Sequence, residues 1–146
     1  MKLPEYVTAK EVQRVCTEIG LSDWSTLTSP TVSEKEATTI LKLVNTKGMD
    51  IPLAEFRKGL EVELEHGTRF EDANVTNNHP LLTGKIVVAH LKEAMDYYER
   101  LDIAELEGDL LKAFAAKDPA KAEAKYRALI RAKMALAQSE MAELGC

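Results

Sequence analysis

The chain is poor in cysteine, has no long apolar run, no sustained β alternation and no excess of positive charge, and each absence removes a class of protein. Its two cysteines, Cys16 and Cys146, stand near opposite ends. They form neither a disulfide framework nor a C-x-x-C metal knuckle. Cys16 falls among Val12, Val15 and Ile19 and reads as a small core residue, whereas Cys146, the last residue, is expected to be exposed. A reducing, cytoplasmic setting follows, or a virion if the gene is a phage's, and Asn74-Val75-Thr76 is then a chance glycosylation sequon. No stretch reaches the ~18 apolar residues of a membrane-spanning helix. The opening MKLPEYVTAKEV lacks the apolar segment of a secretory leader. A net charge of −5 argues against nucleic acid and against an anionic membrane surface as partners.

What is present reads as helix. At 146 residues, with 45% hydrophobic and 29% charged side chains, the chain is long enough to bury a core and too apolar to be disordered. Thr8-Ala9-Lys10-Glu11 has the form of a capping box ahead of Val12, Val15, Cys16 and Ile19, and Gly20 suits the helix end. The polar segment LSDWSTLTSPTV follows, with Trp24 as its one large anchor. Ser33-Glu34-Lys35-Glu36 opens a second helix through Ile40, Leu41 and Val44, ending near Gly48. Pro52 starts a third, through Leu53, Phe56, Leu60 and Leu64 to Gly67. Residues 68–80 read as a loop. From Pro80 the spacing predicts one long helix to about Leu101. Asp102 and then Asp118-Pro119 mark two further starts. The last helix carries Ala122, Tyr126, Leu129, Ile130, Ala137, Met141 and Leu144 at helical spacing. The only β-branched cluster, Ile86-Val87-Val88, is interrupted upstream by Lys85. The expected fold is all-α: a compact multi-helix bundle over residues 1–102, with residues 103–146 as an appended C-terminal helical hairpin. Residues 1–102 hold 12 basic and 17 acidic groups and residues 103–146 hold 7 of each, so the acid excess sits with the body.

All three histidines lie between Gly59 and Leu101, and two form mirrored pairs with carboxylates. Glu63-x-x-His66 and His90-x-x-Glu93 have the i, i+3 spacing that places both side chains of a pair on one helix face. On a wheel of about 100° per residue, His90 centres an apolar stripe of Ile86, Val87, Ala94, Tyr97 and Leu101. Glu63 borders the buried face of the third helix. Three readings fit. His90 could hydrogen-bond Glu63 or a carbonyl and hold two helices in register. Glu63, His66, His90 and Glu93 could form the shell of a divalent metal such as Zn, Fe or Mn, with His79 as a weaker third nitrogen. Acid–base catalysis without metal is the third, although no nucleophile stands beside a base. A di-iron bundle is only half matched, because one pair runs His-x-x-Glu and no bridging glutamates appear on two further helices.

Asp72, Asn74, Thr76 and Asn78 alternate oxygen-bearing side chains like a calcium loop. Asn77 replaces the glycine, however, and Thr83 replaces the bidentate glutamate. These residues are expected to turn the loop through their own backbone bonds instead, with Asn78-His79-Pro80 setting the next helix entry. Tyr97 and Tyr98 are expected to pack. The Lys117, Lys121, Lys125, Arg127, Arg131 and Lys133 series, offset by seven acids, reads as a solvated face.

The segments FRKGLEVELEHG and NVTNNHPLLTGKIVVAHLKEAMDYYERL resemble an uncharacterised family of small helical proteins of bacteria and tailed phages, over about residues 52–101. The resemblance implies a compact helical module and no activity. Glu63, Glu65, His66, Gly67, Asn74, His90, Tyr97 and Tyr98 lie in the matching segments as candidates without roles. Two functions follow as expectations. One is a non-enzymatic assembly or interaction protein, a component of a phage particle or other large complex. It would bind a protein partner or a second copy through residues 103–146. The other is a transition-metal protein with a hydrolytic or redox role.

Overall fold

A computed structural model describes residues 7–145, and these form helices joined by turns and loops, with no strand among them. The helices are α1 (Ala9–Ile19), α2 (Glu34–Val44), α3 (Leu53–Arg69), α4 (Pro80–Glu93), α5 (Tyr97–Ala115) and α6 (Pro119–Leu144). Two single 3₁₀ turns, Trp24–Thr26 and Glu71–Ala73, join them. Among the described residues no helix is long and apolar enough to cross a membrane. The chain divides into two compact units, residues 1–95 and residues 96–146.

In the first unit α2, α3 and α4 pack on one another, and α1 lies against α4 and the first 3₁₀ turn. Phe56, Leu60 and Leu64 recur along α3 as its buried edge, meeting Ile40 and Val44 of α2 and Val87, Val88 and Leu91 of α4 in the core. Cys16 is buried as its apolar neighbours suggest, and Trp24, the one large side chain of a polar segment, is buried as well. The α2–α4 crossing is close because residue 84 is glycine. A Cβ there would come within 2.6 Å of the Ile40 Cγ2, below any ordinary carbon contact.

Caps set the helix starts. The Thr8 hydroxyl accepts from the Glu11 amide, but the Glu11 carboxylate turns to Arg14 and leaves the box half made. Ser33 and Glu36 form a complete one. Glu36 does more: its Oε1 also accepts from the Ser22 amide and hydroxyl and from the Trp24 indole N–H. Burial opposes ionisation of this carboxyl. The Ser22 and Ser33 hydroxyls and amides outweigh that cost and hold its pKa down to about 2. Gly20 ends α1 in the left-handed conformation, φ 72°, where a side chain is disfavoured.

One helix differs from the sequence expectation. The segment from Pro80 does not run to Leu101; α4 stops at Glu93, and Ala94 is extended with φ −155° and ψ 132°. A new helix starts at Tyr97. The wheel through residues 86–101 was therefore continuous on paper only. The buried stripe of α4 is Pro80, Thr83, Gly84, Val87, Val88 and Leu91. Ile86 is exposed and His90 sits at the border of that stripe. Helix α3 likewise runs past Gly67 to Arg69.

In the second unit α5 and α6 form an antiparallel hairpin. Lys117 takes φ 55° to reverse the chain, and the Asp118 carboxylate caps α6 by accepting from the Lys121 amide at 2.9 Å. Pro119 occupies the first helical position, where its missing N–H costs nothing. The ion pairs Asp109–Lys125, Glu107–Lys133 and Arg100–Glu140 step backward along α5 as they step forward along α6. Ala113, Ala122 and Leu129 are buried. Tyr97 and Tyr98 meet edge to face, their ring centroids 5.1 Å apart.

Candidate functional site

The packing of α3 on α4 brings Glu63 and His90 together. The two residues stand on facing helices, each at the edge of its helix's buried stripe. The imidazole Nδ1 lies 3.0 Å from the Glu63 Oε1, a hydrogen bond in which the imidazole donates. The Glu63 side chain is 13% exposed and that of His90 28%, so the pair is screened from water without being sealed. A donor and acceptor that satisfy each other at a helix–helix seam spare the cost of about 1–3 kcal/mol that either would incur if buried alone.

The other candidates lie apart from this contact. His66 and Glu93 are exposed. Among the described residues no group of three or more His, Cys, Asp and Glu side chains is arranged to hold a metal ion. On their own Glu63 and His90 offer two protein ligands, fewer than the three or four of zinc sites. Tyr97, placed beside His90 on the continuous wheel, belongs to α5 and the second unit.

His79 has a different employment. It is the N-cap of α4, and its Nδ1 accepts from the amides of Leu81 at 3.2 Å and Leu82 at 3.4 Å. Pro80 brings no N–H, so the imidazole reaches the next two free amides of the helix start. Accepting at Nδ1 requires that nitrogen to be unprotonated, and the ring proton then sits on Nε2. Burial pushes the His79 pKa down, against the upward pull of Glu11.

The asparagine-rich loop is built on a steric slot. Asn77 and Asn78 both take the left-handed conformation, φ 48° and 59°, which asparagine tolerates better than most residues. The Asn74 amide donates to the Asn78 side chain at 3.1 Å, and Asn77 donates to the Val7 carbonyl. Gly67 makes room: a Cβ there would lie 1.9 Å from the Asn78 Oδ1. The loop is thus tied by bonds between side chains and to the Gly67 and Val7 carbonyls, rather than by the local backbone bonds expected from the sequence. A polar cleft of about 380 Å³ opens beside the loop, lined in part by Ser25, Thr28, Thr68, Glu71 and Asn74.

The hairpin carries what the sequence showed only in outline. Leu111, Phe114, Tyr126, Ile130, Met134, Met141 and Leu144 are all exposed, between 41% for Ile130 and 78% for Leu144. Glu107, Leu111 and Phe114 follow one row of α5, and Tyr126, Ile130 and Lys133 follow one row of α6. The Glu107–Lys133 ion pair at 2.7 Å joins the two rows, which puts both apolar sets on one face of the hairpin.

The protein is thus an all-α chain in which a histidine–carboxylate pair fastens two helices and a separate hairpin displays apolar side chains. Residues 12–107 match the family described as protein of unknown function, DUF5661, and the chain belongs to it. That span starts in α1 and ends within α5, well beyond the two helices on which the resemblance rested. No curated protein and no solved structure matches the chain.

Proposed function

We propose that this chain is a non-enzymatic interaction protein that docks a protein partner through the α5–α6 hairpin. The observation that carries this reading is the exposed apolar face of the hairpin. Isolated exposed leucines are ordinary on a protein surface, whereas a contiguous set across two helices marks an interaction site. Leu111 at 70%, Phe114 at 65% and Tyr126 at 55% exposure include the aromatic types that anchor interfaces. The Glu63–His90 pair supports the same view, since its two groups satisfy each other at a packing seam. A stable assembly such as a bacterial complex or a phage particle is the setting such a module fits.

Site-specific photo-crosslinking in the native host tests the reading. A photoreactive residue at Phe114 or Tyr126 should give discrete protein adducts. The same residue at Leu43, 47% exposed on α2, should give none. Hairpin positions that label nothing would sink the docking reading.

A further inference from the structure

We propose that the partner is a second copy of this chain, seated on α6 in antiparallel orientation about a two-fold axis near the middle of the helix; this rests on the hairpin being the docking element.

The argument begins with spacing. Ile130, Met134, Ala137, Met141 and Leu144 follow one another at steps of four, three, four and three, the repeat of a coiled-coil seam. Tyr126 continues the row one turn earlier. This seam is not the one that faces α5. The α5-facing positions, Ala122, Lys125, Leu129, Ala132 and Leu136, are buried or half-buried, whereas Tyr126, Ile130, Met134, Ala137, Met141 and Leu144 are exposed. Helix α6 therefore presents two seams, one used within the hairpin and one open. At 1.5 Å per residue the open seam is about 27 Å long, enough for five turns of a partner helix.

Charge then selects the occupant and its direction. Lys125, Lys133 and Glu140 are paired to α5 and Arg127 to Glu123, which leaves Lys121 and Arg131 in residues 119–133 and Glu143 in residues 134–145 to meet a partner. A parallel copy would set basic half on basic half and acidic half on acidic half. An antiparallel copy sets each basic half against an acidic one. A two-fold interface requires this kind of self-complementarity, in which i meets j and j meets i. In that register Ile130 of one copy lies over Met141 of the other, Tyr126 lies over Leu144, and Met134 and Ala137 meet at the axis.

Sedimentation velocity of the full chain at micromolar concentration, in reducing buffer so that Cys146 cannot cross-link, should give twice the monomer mass. Met134→Glu places two like charges beside the axis and should give the monomer mass with unchanged helical circular dichroism. Ala137→Arg, at an exposed neighbouring position, should do the same by a different charge. Mixing Ile130→Cys and Met141→Cys copies, both with Cys146→Ser, should yield the mixed disulfide under mild oxidation. A monomeric wild type, a dimer that survives both charge substitutions, or Ile130–Ile130 position self-crosslinks in place of the mixed species would each overturn the proposal. The docking reading fails separately. A monomeric protein whose Tyr126 position still photo-crosslinks to a chain of different mass keeps the hairpin as a docking element and rejects only the second copy.

Discussion

The two units of this chain are stabilised by different means. The first buries Trp24, Ile40, Phe56, Leu60 and Leu64 to 1% exposure or less, and its helix starts are tied down by Ser33, Glu36 and His79. The second is a helix pair that buries Tyr98, Ala113, Ala122 and Leu129 and carries three interhelical ion pairs along its length. It leaves Leu111, Phe114, Ile130, Met134, Met141 and Leu144 exposed. Exposed ion pairs contribute roughly 0–1 kcal/mol each, whereas a fully buried Leu or Phe contributes about 1.5–3 kcal/mol. A unit that also holds Leu111, Phe114, Ile130 and Met134 in solvent has surface left for something else to cover.

The contrast can be broken at its strongest point first. Phe56→Ala should cost about 3–5 kcal/mol, read as a lower midpoint in urea unfolding followed by circular dichroism. Leu129→Ala, in the hairpin with fewer neighbours to lose, should cost about 2 kcal/mol, at the low end of such truncations. Equal losses would show that the two units share one kind of core after all.

A smaller effect isolates the His79 cap. Its folded pKa lies below the ordinary imidazole value, so the unfolded chain takes up the proton more readily. The cap's contribution is present above about pH 6.5 and is lost as the pH falls through the depressed folded value. His79→Ala should remove about 1 kcal/mol at neutral pH and flatten the fall in stability as the pH drops below about 6.5. An unchanged slope would show that His79 does not titrate with unfolding. Smallest of all, Lys133→Ala should lower hairpin stability by less than about 1 kcal/mol, with the loss fading at high salt.

Much of this architecture was legible in the residues. Ser33-x-x-Glu36, Gly20, Pro80 and Asp118-Pro119 announce helix ends because each acts locally on backbone groups within a turn or so. The contact between Glu63 and His90 was among the readings open to the sequence. The break at Ala94–Asp96 was not, since neither glycine nor proline marks it and the apolar spacing runs straight through. That one error misplaced Tyr97 and Leu101 and moved His90 from the edge of its stripe to the centre. Glu36 as a junction for Ser22 and Trp24, and the close approach at Gly84, arise from contacts between distant segments, and no local pattern reports them. Nothing local to Leu111 and Phe114 marks them as exposed; the hairpin register shows them outside.

The slot at Gly84 has a consequence for how this sequence can drift. Because the space a methyl would need is filled by Ile40, the two positions are not free to vary independently. A relative that carries alanine at the position of Gly84 is expected to carry a smaller residue than isoleucine at the position of Ile40. Changing position 84 alone would pass through an overpacked intermediate costing about 1–3 kcal/mol. The order of substitutions is therefore constrained: trimming Ile40 opens a cavity that a later methyl at 84 can fill, and history should run in that direction.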